Sequence, residues 1–205
     1  MNTTSRSIRL LGGRISIDFA NLAESGIFCW EDLIGFLEAS RIISAERGAQ
    51  LLGLTRTDPQ TADTLLQKSL RLCKALRTIL AATIYKEKIQ LSGVEPINEL
   101  LRITEGHDEL VLNGANWQME FIAREGGLDW LLAAIARSGA EIVAEGAKAR
   151  VRVCANPACG LFFYDDSRTR RRRWCSMSVC GNRHKVAAFA RKHAASLKRM
   201  AASAS

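Results

Sequence analysis

The chain has 205 residues, 47% hydrophobic and 24% charged, proportions of a folded globular protein rather than a disordered or membrane-embedded one. No stretch reaches the roughly 18 to 20 uninterrupted apolar residues of a membrane span and the N-terminus leads into no signal-peptide apolar run, so the expectation is a cytoplasmic protein with no membrane partner. The net charge of +8 is lopsided: from Lys148 onward fourteen Lys and Arg face only Asp165 and Asp166, a local net of +12, while the rest of the chain is slightly acidic. Such asymmetry points to a polyanionic partner, with nucleic acid ahead of a membrane surface or an acidic protein.

In chain order, Ile8 to Asn21 reads as a short β element. Arg9-Leu10-Leu11 is followed by a Gly12-Gly13 turn, and Ile15, Ile17 and Phe19 then alternate with Arg14, Ser16 and Asp18. Trp30, Leu33, Ile34 and Leu37 recur at helical spacing and end before Ser40; Ser44 caps a second helix running through Leu54. Asp58-Pro59 breaks the chain, and from Thr61 to about Gln90 the apolar positions follow a 3.6-residue period, the longest helix expected. Pro96 permits another helix start. Leu110-Val111-Leu112, Asn113-Gly114 and Trp117 to Ile122 form a hairpin signal, because Asn-Gly tolerates the positive φ angles of a type I′ turn. Leu128 to Val143 is amphipathic again. The fold class expected is α+β: a mainly helical N-terminal domain with short strands and a β-hairpin over residues 1–146, then a small C-terminal module with a basic helix over 147–205.

Of the six cysteines, Cys29 and Cys73 sit alone in apolar helical patterns, where a free cysteine behaves as a small hydrophobe. The other four, Cys154, Cys159, Cys175 and Cys180, form two pairs with four intervening residues each, fifteen residues apart. Two knuckles of that kind present four sulfurs to one ion. Thiolates suit zinc, and an all-sulfur site leaves no open position, so one structural zinc is expected; two disulfides or an iron–sulfur cluster are the alternatives weighed. His184 stands four residues past Cys180 and is read as an exposed helical residue rather than a substitute ligand. Asn156-Pro157 is a turn signature, and Leu161, Phe162, Phe163 and Trp174 are expected to pack as a miniature core, with base stacking by Trp174 or Tyr164 the lesser reading.

Arg168, Arg170, Arg171, Arg172 and Arg173 lie between the cysteine pairs; Arg183, Lys185, Arg191 and Lys192 follow them. Guanidinium groups match phosphate oxygens through a planar donor fork and pair bidentately with guanine, so these nine residues are the candidate nucleic-acid contacts. One or two arginines are expected to serve the knuckle itself. From Met177 onward the residues favour helix, and Val186, Phe189 and Leu197 form an apolar stripe expected to rest on the knuckle.

The run Trp174-Cys175-Ser176-Met177-Ser178-Val179-Cys180-Gly181-Asn182-Arg183, preceded by Cys154-Ala155-Asn156-Pro157-Ala158-Cys159 and by Asp166-Ser167-Arg168, resembles the CGNR zinc finger. Leu11-Gly12-Gly13-Arg14-Ile15-Ser16-Ile17-Asp18-Phe19-Ala20-Asn21 resembles the opening of the ABATE domain, which precedes this finger in bacterial proteins described as stress-induced transcription regulators. The resemblance implies a DNA-binding regulator with zinc on the four cysteines and a sensing or effector-binding N-terminal domain. Asp18 and Asn21 are then weak candidates for effector contacts, set against the reading that they end the expected strand.

The leading expectation is a zinc-dependent, stress- or ligand-responsive transcription regulator whose partners are DNA, a small effector and a second copy in a homodimer. The alternative is a zinc-stabilised interaction module that binds RNA or an acidic protein without reading DNA sequence. No phosphate-binding glycine loop, nucleophile elbow or histidine-rich metal signature is present, so an enzyme is not expected.

Overall fold

The structure, a computed structural model, describes residues 8–25, 29–103, 106–113, 116–123 and 127–203, with the side chains of 24, 25, 103, 106–123, 192 and 195–203 outside that description. The fold is α+β and mainly helical. Helices α1 (Ile15–Asn21), α2 (Trp30–Ala39), α3 (Ala45–Thr57), α4 (Pro59–Tyr85) and α5 (Leu91–Ile103) are followed by strands β1 (Gly106–Asn113) and β2 (Asn116–Ala123), then helix α6 (Ala133–Glu145). Strands β3 (Val151–Val153) and β4 (Phe162–Tyr164) and the long helix α7 (Asn182–Ser203) complete the chain.

The expected strand over Ile15 to Phe19 is instead α1. In a segment this short a period of 2 and a period of 3.6 fit the apolar positions equally well, and tertiary contact decides. Ser16, Ile17, Asp18, Phe19 and Ala20 are all buried, so no alternation of covered and open faces exists. α4, α6 and β4 surround the helix. The buried Ser16 hydroxyl meets that of Ser138 on α6 at 2.9 Å, which satisfies both.

Other boundaries shift for local reasons. Ser44 caps α3 as expected, accepting from the Arg47 amide at 3.2 Å, although the helix runs three residues beyond Leu54. Asp58-Pro59 starts α4 rather than separating it: Asp58 accepts from the Thr61 amide at 3.1 Å, and Pro59 takes the first helical position, where its missing N–H costs nothing. The same helix stops at Tyr85, short of Gln90, because Lys86 turns left-handed with φ 57°. α5 begins at Leu91, so Pro96 lies inside the helix instead of starting it; burial of Ile97 and Leu100 offsets the lost ladder bond. Strands β1 and β2 pair antiparallel with Asn113 opposite Asn116. The turn residues expected there, at 114 and 115, lie outside the described residues.

The main core is helical. Leu65, Leu72, Leu76, Ile79 and Leu80 form the inward stripe of α4 and meet Ile17 and Phe19 of α1, Leu33 and Phe36 of α2, and Ile135 and Ile142 of α6. Phe19 and Phe36 pack edge to face with ring centroids 5.2 Å apart. Val151 and Tyr164, from β3 and β4, belong to the same core. A second cluster, Cys154, Phe163, Trp174, Cys175 and Cys180, lies on the opposite side of that small hairpin. Strand alternation thus places Tyr164 in one core and Phe163 in the other.

Candidate metal centre and basic surface

β3 and β4 pair antiparallel, with Val151 opposite Tyr164 and Val153 opposite Phe162. This hairpin carries the first knuckle. Cys154 follows β3 directly and its amide donates to the Leu161 carbonyl at 2.9 Å. Inside the loop, Asn156 accepts from the Ala158 amide through its side chain at 3.2 Å and from the Cys159 amide through its carbonyl at 2.9 Å. That is the turn expected of Asn156-Pro157. The second knuckle is fastened to the first where the Ala155 amide donates to the Arg173 carbonyl at 2.9 Å. Cys180 sits in a single π-helical turn, Met177–Gly181, capped by Ser176, whose hydroxyl accepts from the Val179 amide at 3.3 Å.

The four sulfurs lie within 4.8 Å of one another. Cys175 Sγ is 3.7 Å from both Cys159 Sγ and Cys180 Sγ. A tetrahedron with zinc–sulfur bonds near 2.3 Å requires sulfurs about 3.8 Å apart, so the spacing fits zinc and far exceeds the ~2 Å of a disulfide. All six cysteines are free thiols here. Burial pushes the Cys159 thiol up to about 11 and raises that of Cys175 further, with the neighbouring thiols adding to the latter. Cys180 moves the other way: burial opposes the shift, but the Asn156 amide, 3.5 Å from its sulfur, and the adjacent thiols outweigh it. Four sulfur donors and no side-chain oxygen or imidazole make the site suited to one structural zinc, which would supply cross-linking and charge neutralisation rather than chemistry on a substrate. His184 takes no place in the cluster; its ring is exposed and rests against Trp174, centroids 4.8 Å apart.

The expected miniature core divides between the two clusters. Phe163 and Trp174 pack on the cysteines with Leu161 beside them, while Phe162 lies against the main core. Burial of Tyr164 and Trp174 favours packing over base stacking.

The loop between the knuckles is organised by a carboxylate that the sequence did not single out. Asp165 is fully buried; it accepts from the Ser167 amide at 3.2 Å, the Ser167 hydroxyl at 2.5 Å and the Arg172 amide at 3.1 Å, and pairs with Arg152 Nε at 3.0 Å. Burial alone would raise its pKa, but these hydrogen bonds and the Arg152 charge hold the carboxyl below its ordinary value.

Arg172 is occupied as well. Its guanidinium donates to the carbonyls of Trp174 at 2.9 Å and of Cys175, pairs with Asp166 at 3.3 Å, and lies over the Phe163 ring at 4.9 Å. Among those of the nine candidate contacts with described side chains it is the one tied to the scaffold by side-chain hydrogen bonds; Arg173 lies over the Trp174 ring at 5.2 Å but stays exposed. Arg168, Arg170, Arg171 and Arg173 are exposed on the loop, and Arg183, Lys185 and Arg191 are exposed on α7; the Lys192 side chain lies outside the described residues. The apolar stripe of α7 does not rest on the knuckle as expected: Val186 is 61% exposed and Phe189 72%, because Trp174 and His184 already close the finger and the helix projects from its π turn. Leu197 falls outside the described side chains.

Asp18 and Asn21 are on α1, not at a strand end. Asp18 accepts from the Gly12 amide at 2.6 Å, and burial pushes its carboxyl up to about 6. Asn21 grips β4 with both ends of its amide, donating to the Phe162 carbonyl and accepting from the Phe162 amide, each at 2.9 Å. The remaining N-terminal residues of the same stretch also hold the finger. Gly12 O accepts from the Tyr164 amide at 2.7 Å, and Gly13, packed beside Tyr164, takes φ +76°, a left-handed backbone that would strain any side chain placed there. Arg14 lies 4.6 Å over the Tyr164 ring and pairs with Glu145, which accepts the Tyr164 hydroxyl hydrogen bond at 2.6 Å. The Leu11–Asn21 stretch is therefore the seat of the finger hairpin. Sequence reasoning paired neither Asn21 with Phe162 nor Arg14 with Tyr164, since both contacts join residues more than 120 positions apart.

These features define a four-cysteine zinc finger seated on a helical body. Residues 150–193 match the CGNR zinc finger family. No curated protein matches the chain. Among the described residues, no helix is long and apolar enough to cross a membrane.

Proposed function

We propose that the protein is a zinc-dependent, DNA-binding transcription regulator and not an enzyme. Residues 147–205 form its nucleic-acid-binding half, and residues 1–146 an ABATE-like half that senses a ligand or stress signal. The supporting observation is the placement of the arginines. Asp165 and Arg172 clamp the inter-knuckle loop, leaving Arg168, Arg170, Arg171 and Arg173 exposed without carboxylate partners among the described residues, and α7 continues the basic surface through Arg183, Lys185 and Arg191. Structural zinc acts here by fixing where that loop points. A homodimer would join two such surfaces and enlarge a site that one small finger reads only briefly.

The test is selection from a randomised duplex pool across several salt concentrations, with a Cys175→Ser, Cys180→Ser variant alongside. The expected outcome is enrichment of a defined sequence, lost in the variant, with affinity falling by about 0.9 log units per log of salt for each phosphate contact. Salt-sensitive binding without enrichment would replace this reading with a general polyanion-binding module for RNA or an acidic protein. The exposed Phe189 ring among the bases of α7, stacked on one side against His193 with centroids 6.3 Å apart, is the feature that favours the RNA version, since its open face offers a stacking surface to an unpaired base.

A further inference from the structure

A cleft of about 1130 Å3 runs between the helical body and the finger. Its floor is apolar: Ile84 from the end of α4, Ile89 beyond it, Val143 of α6 and Val153 of β3, all left partly uncovered. Lys86, Arg150, Arg170 and Arg173 line it as a cationic rim, the Arg150 guanidinium also lying over the Tyr164 ring at 5.3 Å. Two carboxylates also line it. Asp165 is fully engaged by Arg152, Ser167 and Arg172, so Glu87 is the one acid left against four cations that have no acidic partner among the described residues. Two of these cations also hold an unfavourable backbone geometry: Lys86 has φ 57° and Arg170 φ 53°. The left-handed region costs a side-chain-bearing residue about 1 kcal/mol relative to glycine, so both positions keep a long basic side chain where glycine would sit more easily.

From an apolar floor under an unneutralised cationic rim, we infer that this cleft binds an amphipathic organic anion, a carboxylate head on an extended apolar body. The head meets Lys86 and Arg150 and the body covers the Ile84, Ile89 and Val143 surface. A nucleic-acid backbone would use the rim but has no use for the floor. The volume lies slightly above the roughly 300–1,000 Å3 of ordinary small-molecule sites, enough to admit an elongated ligand. The site lies away from Asp18 and Asn21, whose side chains hold Gly12 and Phe162. Because Arg170 and Arg173 line this cleft and also belong to the proposed DNA-contacting loop, occupancy would draw them toward the ligand and away from phosphate. The inference deepens the ligand-sensing part of the proposed function and rests on it; the finger contributes Arg150, Val153, Arg170 and Arg173 to the cleft, but ligand binding does not require that DNA be read.

The test is calorimetric titration of the zinc-loaded full chain with dodecanoate below its micelle concentration, with octanoate, dodecanol and inorganic phosphate as comparison probes. Saturable one-to-one binding of dodecanoate is expected, at least tenfold weaker for each of the three comparisons. A Lys86→Gln, Arg150→Gln variant should weaken dodecanoate at least tenfold while retaining its zinc. Lys86→Gln alone, at an exposed position, should weaken it severalfold and keeps the test valid if the double variant does not fold. Equal binding of dodecanol removes the head contact, equal binding of phosphate removes the apolar body, and unchanged affinity in Lys86→Gln removes the site; any of these overturns the inference. Dodecanoate binding as described by a protein that selects no DNA sequence would leave the cleft standing and end the DNA reading, whereas sequence selection without dodecanoate binding would do the reverse.

Discussion

Asp18 and Asp165 are both buried carboxylates, yet they respond to pH with opposite signs. Asp18 loses most of its water, and this outweighs the Gly12 and Leu11 amides that favour its charged form, so its folded pKa is raised from 3.8 to about 6. The folded state therefore binds its proton more tightly than the unfolded one. Its contribution is fully present below about pH 4 and is lost as pH rises through about 6. Asp18→Asn should accordingly stabilise the protein by on the order of 1–3 kcal/mol above pH 7, a gain that vanishes near pH 4 in urea melts. Asp165 has a lowered pKa, so its contribution is present at neutral pH and lost as pH falls below the ordinary carboxylate range. The same contrast of surroundings separates the arginines. Arg172→Lys keeps the charge but cannot reach two carbonyls and Asp166 at once, and should cost about 1–3 kcal/mol in chemical denaturation. Arg171→Gln, at an exposed position, should leave stability within about 0.5 kcal/mol and reduce nucleic-acid affinity alone. Nothing in the spelling of Arg170-Arg171-Arg172-Arg173 distinguishes these neighbours, because the difference is that Arg172 lies over the Phe163 ring and reaches two carbonyls and Asp166.

Among the elements, the zinc knuckles were legible and α1 was not. Cysteine spacing encodes ligand geometry locally, through short turns that need no distant partner, whereas α1 is a seven-residue segment whose conformation is chosen by what surrounds it. The finger's dependence on metal follows from its thiols. With Cys159 raised to about 11 and Cys175 raised further, both are protonated near neutral pH in the absence of metal, and zinc must displace those protons. Each displaced proton makes the apparent affinity about tenfold stronger per pH unit, so these two predict at least a roughly hundredfold gain between pH 6 and pH 7 in competition with a chromogenic chelator. Removing zinc should unfold the finger, whose small core is built on the cysteines themselves, while α1 to α6 retain their helical circular dichroism.

At the scale of the whole molecule, finger and body are joined by buried polar contacts as well as by a shared core. The Asn21 amide satisfies both backbone groups of Phe162, and Tyr164 reaches from the hairpin to Glu145 at the end of α6. Asn21→Ala would leave two part-buried backbone groups without partners and should lower stability by about 2–4 kcal/mol in guanidinium melts. The same variant should increase proteolysis between body and finger while leaving zinc content at one per chain. Unchanged proteolysis would mean that the Tyr164 hydrogen bonds to Gly12 and Glu145, with the shared core, hold the finger without Asn21.

The sequence by itself determined the α+β class, the long helices, the hairpin at Asn113, the four metal ligands and the concentration of charge in the last quarter of the chain. Each of these is written in spacing or composition over a short window, where the physics is local: a 3.6-residue apolar period, a tetrahedral set of thiolates, an excess of like charge. Only the tertiary structure decided that Leu11–Asn21 is the seat of the finger, that Arg172 is scaffold among exposed arginines, that Asp165 orders the basic loop, and that an apolar cleft with a cationic rim opens between the two halves. Those features come from contacts between residues far apart in the chain or from the choice of one rotamer among equals, and folding settles them by burying polar groups where partners from elsewhere in the chain can satisfy them.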